Sequence, residues 1–196
     1  MLNVMYHYVR PKDNNYPYFK YCTLENFKRQ LDYFDKNFGF LSVDDYINSI
    51  KYNRINKGVV LSFDDGLKDH FKYVLPELKK RGIWGLFYAN TGVFNSPKLL
   101  GVHRVHFLKG KYSPQFILGK VLKRTNDNMI DKRYLSSFKN ETYINSNYND
   151  DERSLQRLLN FYLHYEYRDK ILDELTFKYL DEKMLHQKTY LNKCEV

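Results

Sequence analysis

Short apolar runs alternate with amphipathic stretches over the first half of the chain. The apolar runs occupy residues 4–9, 38–43, 58–63 and 83–89, and such β-branched and aromatic runs are typical of buried parallel strands. Helical spacing relates Leu24, Phe27, Leu31 and Phe34 after the N-cap candidate Thr23, and Phe71, Val74, Leu75 and Leu78 before Gly82. This alternation predicts a parallel sheet, either open or closed into a barrel.

The second half of the chain has a different pattern. All nine glycines lie at or before Gly119 and all five prolines at or before Pro114, so the later residues lack both turn-forming types. Helical stripes are formed by Leu155, Leu158, Leu159 and Tyr162, and by Leu172, Leu175 and Tyr179. We therefore expect helices there, with residues 140–150 as a loop, and interpret the stripes as packing surfaces.

Composition excludes several classes of protein. The 19 Tyr, 14 Phe and one Trp are too many for a disordered chain, and no apolar stretch approaches the roughly 18 residues of a membrane span. The net charge of +9 is spread evenly along the chain, without a basic tail. We therefore do not expect nucleic-acid binding, and a basic surface suits an anionic glycan or a lipid-linked sugar equally well.

Two further features bear on the cellular compartment. The N-terminal residues show neither the basic segment nor the long apolar segment of a secretory signal, so a cytoplasmic location is expected. The two cysteines, Cys22 and Cys194, provide neither a disulfide framework nor a metal-binding spacing. Both are predicted to be free thiols.

The strongest chemical signal is Ser62-Phe63-Asp64-Asp65-Gly66, at the carboxyl end of a predicted buried strand. In α/β proteins this edge of the sheet is where ligands bind. Two adjacent carboxylates at a strand end point in different directions, so one can hold a metal while the other accepts a proton. The alternative is an Asp-Asp-Gly turn that merely caps the following helix.

The surrounding residues resemble those of the polysaccharide deacetylases with the NodB homology fold. The resemblance rests on residues 59–66, on Leu75-Pro76-Glu77-Leu78-Lys79-Lys80-Arg81-Gly82-Ile83, and on residues 85–92. Upstream, Met5-Tyr6-His7-Tyr8-Val9 is similar to the opening strand of that family, and residues 27–46 to the helix and strand that follow. The resemblance covers about residues 1–95 in one collinear run.

The resemblance implies a role for each carboxylate. Asp64 matches the general base of the family, and Asp65 matches a ligand of a divalent metal, often zinc. In such a reaction the metal polarises the acetamide carbonyl and lowers the pKa of a bound water. His7, at the end of the first strand, is expected to face the same pocket and to orient a group there. Its alternative role is that of a hydrogen-bonded histidine at a strand end.

The sequence departs from the family at the remaining metal ligands. The family supplies them from a His-x-x-x-His motif, and this spacing is absent here. The nearest candidates are His103 and His106, whose i, i+3 spacing places both rings on one helical face and would complete a zinc site with Asp65. The alternative is that both line a pocket or pack, because a related branch carries a similar Val-His-x-x-His segment before a helical insertion. Residues 151–192 resemble that insertion. His70, His164 and His186 are isolated in the sequence and are expected at the surface.

The sequence thus predicts an α/β protein with two parts. Residues 1–110 are expected to form a partial NodB-like (β/α) barrel of about four parallel strands, and residues 111–196 an all-helical insertion or tail. The 196 residues are fewer than the roughly 250 of a closed β/α barrel.

The predicted function is metal-dependent hydrolysis of the N-acetyl group of an acetylated glycan or sugar precursor. One alternative is a truncated or split relative without the His-x-x-x-His ligands, which would bind glycan or pair with a second chain that completes the barrel. A basic nucleic-acid-binding module is a further alternative, for which the sequence offers no motif.

Overall fold

The computed structural model describes residues 1–192 and 195. The chain divides into two compact units. The sheet unit comprises Met1–Lys12, Tyr21–Lys98 and the described part of Lys183–Val196, and the helical unit comprises Asp13–Lys20 and Leu99–Glu182. The boundary predicted from the sequence, between residues 110 and 111, falls inside a helix of the second unit.

The elements have the following bounds. The strands are β1 (Leu2–Tyr6), β2 (Val9–Arg10), β3 (Cys22–Thr23), β4 (Val59–Phe63) and β5 (Gly85–Phe87). The α-helices are α1 (Leu24–Phe38), α2 (Val43–Lys51), α3 (Leu75–Arg81), α4 (Gly101–Lys111), α5 (Pro114–Leu122), α6 (Leu135–Glu141), α7 (Asp150–Arg157), α8 (Tyr165–Tyr179) and α9 (Glu182–Thr189). Two π-helical turns, His70–Val74 and Leu158–Tyr162, and three 3₁₀ turns, Thr91–Phe94, Asp127–Met129 and Lys132–Tyr134, lie between them.

A parallel sheet is the centre of the sheet unit. Its strands follow the order β1-β4-β5, so β4 is central, and Phe63 pairs with Tyr6 on one side and with Phe87 on the other. The near-continuous burial of β4 is what a central parallel strand requires. Strands β2 and β3 form a separate parallel pair. The structure is thus α/β, as predicted, with three strands in its main sheet.

The predicted strand at residues 38–43 is wrong. Only one residue of it pairs, through a parallel bridge from Phe40 to Val59. Gly39, the residue before Phe40, has a positive φ of 66°. Two residues after Phe40, the Ser42 side chain caps α2 by accepting a hydrogen bond from the Asp45 N–H. The extended segment is therefore too short for a strand. The N-cap of α2 is Ser42.

Helix α1 forms as its pattern predicts. The Thr23 hydroxyl accepts a hydrogen bond from the Asn26 N–H, which satisfies one of the free donors at a helix start. Phe27 and Leu31 are fully buried. They pack in a core with residues of the sheet and of the segment that leads into α3: Tyr6, Val9, Val59, Leu61, Phe63, Val74 and Leu78. This core fixes the sheet from one face.

The chain returns to the sheet unit through α9. Tyr190 makes an antiparallel bridge with Leu67, and the Leu191 N–H donates to the Gly66 carbonyl at 3.0 Å. The residues after Glu182 therefore pack against the turn that follows β4. They are not part of the helical unit, although the sequence pattern assigns them to a helical tail.

The helical unit has its own core. Its buried apolar residues come from α4, α5, α7, α8 and the turn Leu158–Tyr162, and they include Leu108, Ile117, Val121, Leu155, Leu159, Leu172 and Leu175. Both stripes expected from the sequence contribute to it. The segment 13–20 also belongs to this unit, because the Tyr18 N–H donates to the Gly110 carbonyl at 3.0 Å and Phe19 stacks against Phe107.

Two smaller expectations concern cysteines and membranes. Cys22 is a free thiol, as predicted, and Cys194 lies outside the described residues. Among residues 1–192 and 195, no helix has the length and apolar character needed to cross a membrane.

Candidate functional site

The two adjacent aspartates lie at the carboxyl end of the central strand. The Asp64 N–H donates to the Tyr6 carbonyl at 3.0 Å, which extends the pairing of β1 with β4 by one residue. The Gly66 N–H donates to the Tyr88 carbonyl at 2.9 Å, and the Tyr88 N–H donates to the Phe63 carbonyl at 2.8 Å. The turn is therefore tied to both neighbouring strands, at the edge of the sheet where the sequence predicts a site.

The backbone of this turn is unusual. Asp65 and Gly66 both have positive φ angles, 75° and 59°. A non-glycine residue in this region is strained, although aspartate tolerates it better than most, and such residues occur often at functional sites. A Cβ on Gly66 would lie 3.3 Å from Ala89. The turn thus has to be tight, and a glycine at position 66 permits it.

A cleft of about 480 Å³ opens over the aspartates. It is lined by Met5, Ser62, Asp64, Asp65, Tyr88, Ala89 and Asn90, all from β1, β4 or the segments that follow β4 and β5. Asp64 is half-buried, and its carboxylate makes no hydrogen bond or ion pair with any described residue. An unengaged carboxylate in a cleft is available to accept a proton.

His7 lies beside Asp65. Its Nε2 is 3.7 Å from Asp65 Oδ2, and its side chain is 43% exposed, whereas that of Asp65 is 23% exposed. The distance is too long for a hydrogen bond but allows an ion pair when the imidazole is protonated. The structure therefore brings together three of the five predicted site residues, Asp64, Asp65 and His7.

Two buried residues next to the His7–Arg10 segment, Asp69 and His70, were not predicted from the sequence to belong to the site. His70 was expected at the surface, but it is 2% exposed, because the chain turns inward after Gly66 and lays its ring against Phe63 and Phe87. Burial lowers the pKa of His70 to about 4. The neighbouring Asp69 is also buried and binds Arg10, with Oδ2 2.7 Å from Nε.

The pKa of Asp69 is raised. Burial is the main cause, and the Arg10 guanidinium opposes it. The sequence offered one signal for this group, since Asp69 and His70 follow the Asp-Asp-Gly turn within a few residues and precede a helix.

His103 and His106 belong to the helical unit. They lie on α4 with ring centroids 6.0 Å apart, as i, i+3 spacing predicts. His103 is 1% exposed, and the half-buried His106 ring meets Phe19 edge-to-face at 6.4 Å. Ring contacts of this kind are those of packed side chains. Asp65, the third predicted ligand, belongs to the sheet unit.

The donors at the cleft do not fit a catalytic zinc site. Such a site takes three protein ligands and leaves a position open. Asp64 and Asp65 line the cleft and His7 lies beside Asp65, but nowhere in residues 1–192 and 195 do three or more His, Cys, Asp or Glu side chains form a group that could hold a metal. The ligand set of Asp65, His103 and His106 stays a prediction.

A second cleft lies elsewhere in the sheet unit. It has a volume of about 620 Å³, and its lining residues run from Val93 to Pro97 and along α9 to Asn192, with Lys68. The basic groups among them are Lys68, Lys183 and His186, and Tyr190 contributes a phenol. Among the described residues that line this cleft there is no carboxylate, and the His186 imidazole is held through Nε2 by the Val93 carbonyl at 3.0 Å. The cleft at Asp64, which has an unengaged carboxylate, remains the candidate catalytic site.

Comparisons with known proteins give only distant likenesses. No protein-family model and no curated protein matches the chain. Among solved structures, a de-N-acetylase from Aggregatibacter actinomycetemcomitans is 22% identical over 49% of this chain and 39% of its own, with a TM-score of 0.38. This chain thus spans less than half the length of that protein.

Two further solved structures align over more of the chain. The Streptococcus pyogenes deacetylase PplD, in complex with acetate, is 18% identical over 91% of this chain and 81% of its own, with a TM-score of 0.42. IcaB from Ammonifex degensii is 16% identical over 88% and 80%, with a TM-score of 0.38.

Proposed function

We propose that the chain is a polysaccharide deacetylase-like protein that hydrolyses the N-acetyl amide of an acetylated glycan or sugar precursor. The observation that carries the proposal is the cleft at the carboxyl end of β4, where Asp64 is unengaged among the described residues. His7 is not itself a lining residue of this cleft, but it lies 3.7 Å from Asp65, which is. Paired carboxylates and an imidazole are groups that perform general acid–base catalysis. The sequence resemblance to the NodB-type deacetylases supports the same chemistry.

Each residue has a separate task in the proposed reaction. Asp64 accepts a proton from a water molecule as the water oxygen attacks the acetamide carbonyl carbon. The carbon–nitrogen bond then breaks, His7 donates a proton to the departing amine, and acetate and the free amino sugar are released. Asp65, next to Asp64 in a left-handed backbone conformation, is the ion-pair partner of the His7 ring when that ring is protonated.

Replacement of Asp64 by asparagine tests this proposal. The change keeps the size of the side chain and removes its basicity, so acetate release from oligomers of N-acetylglucosamine is expected to fall by about 10²–10⁴-fold. Asp44→Asn is the matched control, because Asp44 is exposed in the first turn of α2. Wild-type turnover that survives Asp64→Asn would refute the assignment of the base.

The lack of three grouped metal ligands among the described residues favours a second candidate function. Because the described residues do not include three ligands that could hold a metal, the chain is alternatively a catalytically incomplete relative that binds acetylated glycan without hydrolysing it. Strands β1 and β5 are the outer strands of the sheet, and outer strands are able to pair with another chain. In this alternative a second polypeptide completes the barrel.

Calorimetry and acetate release together distinguish the two functions. The incomplete relative binds the oligomers with equal affinity in the wild type and in Asp64→Asn, and neither protein releases acetate, with or without added Zn²⁺. The enzyme releases acetate in the wild type alone. A monomer with measurable turnover would contradict the incomplete relative.

A further inference from the structure

His70 makes one directional contact with the candidate site. Its Nε2 lies 2.7 Å from the carbonyl oxygen of His7. A carbonyl oxygen only accepts hydrogen bonds, so His70 Nε2 must carry the hydrogen and donate it. Burial keeps this imidazole neutral near pH 7, and a neutral imidazole has one N–H. The single donor of the ring is therefore used on the backbone of His7.

The acceptor, the His7 carbonyl oxygen, lies just beyond the end of β1. Strand β1 ends at Tyr6, opposite Phe63, and His7 is the first residue beyond it. The next carbonyl, that of Tyr8, accepts from the Cys22 N–H at 3.0 Å. The hydrogen bond from His70 thus fixes the His7 peptide between two different strand pairs.

Asp69 holds the other end of the same segment. Its carboxylate binds Arg10 at 2.7 Å and accepts a hydrogen bond from the Val9 backbone. Two consecutive side chains, Asp69 and His70, therefore bind both ends of residues 7–10. They lie in the segment that directly follows the Asp64–Gly66 turn, so the turn and residues 7–10 are held as one structure.

We propose that His70 is a positioning residue of the candidate active site: it fixes the His7 backbone and thereby holds the His7 ring beside Asp65. The inference rests on the proposed function, because the position of the His7 ring matters to the reaction only if His7 donates a proton to the departing amine. His70 itself does not touch the cleft over Asp64, whose lining residues do not include it. It acts through His7.

Two variants separate the hydrogen bond from the packing of the ring. His70→Gln keeps an N–H donor of similar reach, whereas His70→Phe keeps the aromatic packing against Phe63 and Phe87 and removes the donor. We expect His70→Phe to lower kcat for acetate release by about 10–100-fold, because small displacements of a reacting group have effects of this size. KM is expected to change by less than about threefold, and His70→Gln to recover most of kcat.

Nuclear magnetic resonance of the imidazole nitrogens provides a test that needs no activity. We expect the Nε2–H tautomer of His70, a scalar coupling between this nitrogen and the His7 carbonyl carbon, and displaced His7 ring signals in His70→Phe but not in His70→Gln. An Nδ1–H tautomer, or unchanged His7 signals in His70→Phe, would overturn the inference even in an active enzyme. If the wild type shows these signals but releases no acetate, the proposed function fails while His70 still positions His7. Equal kcat in the wild type and His70→Phe would also overturn it.

Discussion

The sheet unit and the helical unit both bury titratable side chains, but they place them in different surroundings. In the sheet unit, buried Asp69 and His70 lie behind residues 7–10, next to a cleft with an unengaged carboxylate. In the helical unit, Lys109 and Glu152 are each 4% exposed and bind one another at 2.8 Å. Buried titratable groups therefore do not by themselves mark a functional site, and the proposal for the sheet unit rests on the unengaged Asp64 carboxylate beside them.

The buried pair of the helical unit is fully engaged. Glu152 also accepts from Lys20 at 2.6 Å, and the Tyr148 ring lies 4.4 Å from Lys20 Nζ and 5.0 Å from Lys109 Nζ. Burial opposes ionisation of Glu152, but the hydrogen bonds from the two lysines outweigh it and lower its pKa. This group ties the segment 13–20 to α4 and α7. Its role is structural.

The largest expected effect comes from breaking that pair. Glu152→Gln leaves the Lys109 ammonium buried without its counter-charge, and we expect the free energy of unfolding to fall by about 3–5 kcal/mol. Glu174→Gln is the matched control, because Glu174 binds Arg124 at the same 2.8 Å but is 64% exposed, so a loss below about 1 kcal/mol is expected. Urea unfolding measures both. Equal losses would show that burial is not what distinguishes the two pairs.

A second effect depends on pH and arises in the sheet unit. The pKa of His70 is about 4 in the folded chain because of burial, against 6.5 for the ordinary side chain. Between these values the unfolded chain binds a proton that the folded chain does not, so stability falls as the pH drops from 6.5 towards 4.

The size of this loss is at most about 3 kcal/mol. It is measured as the difference in unfolding free energy between the wild type and His70→Gln at pH 7 and at pH 4. Because the glutamine does not titrate, a difference that stays constant with pH would show that His70 is not buried in its neutral form.

The two units also differ in how far their sequence predicts them. The helical stripes and the Thr23 cap are local patterns, and both are confirmed. The position of Asp64 and Asp65 at the end of β4 follows from a buried run of apolar residues. The burial of His70 does not, because it depends on where the chain turns after Gly66 and on rings from β4 and β5. Likewise, the bridge from Tyr190 to Leu67 joins segments that no local pattern relates.

The smallest expected effects come from replacing one glycine in each unit by alanine. Gly66→Ala forces a Cβ into a left-handed residue at 3.3 Å from Ala89, so we expect a loss of about 1–2 kcal/mol. Gly119 lies exposed within α5, where a Cβ would meet nothing within 4 Å, and Gly119→Ala is expected to gain about 0.5–1 kcal/mol. Thermal unfolding checks both signs.

Activity separates the two substitutions further. Ala89 lines the cleft over Asp64. On the proposed function we therefore expect Gly66→Ala to reduce acetate release by more than the lost stability explains, in an assay run well below the unfolding temperature. We expect Gly119→Ala to leave acetate release unchanged, because its helix packs in the helical unit. If Gly66→Ala kept full turnover, the tight turn would be a requirement of folding alone, and the geometry of Asp65 would have no part in the reaction.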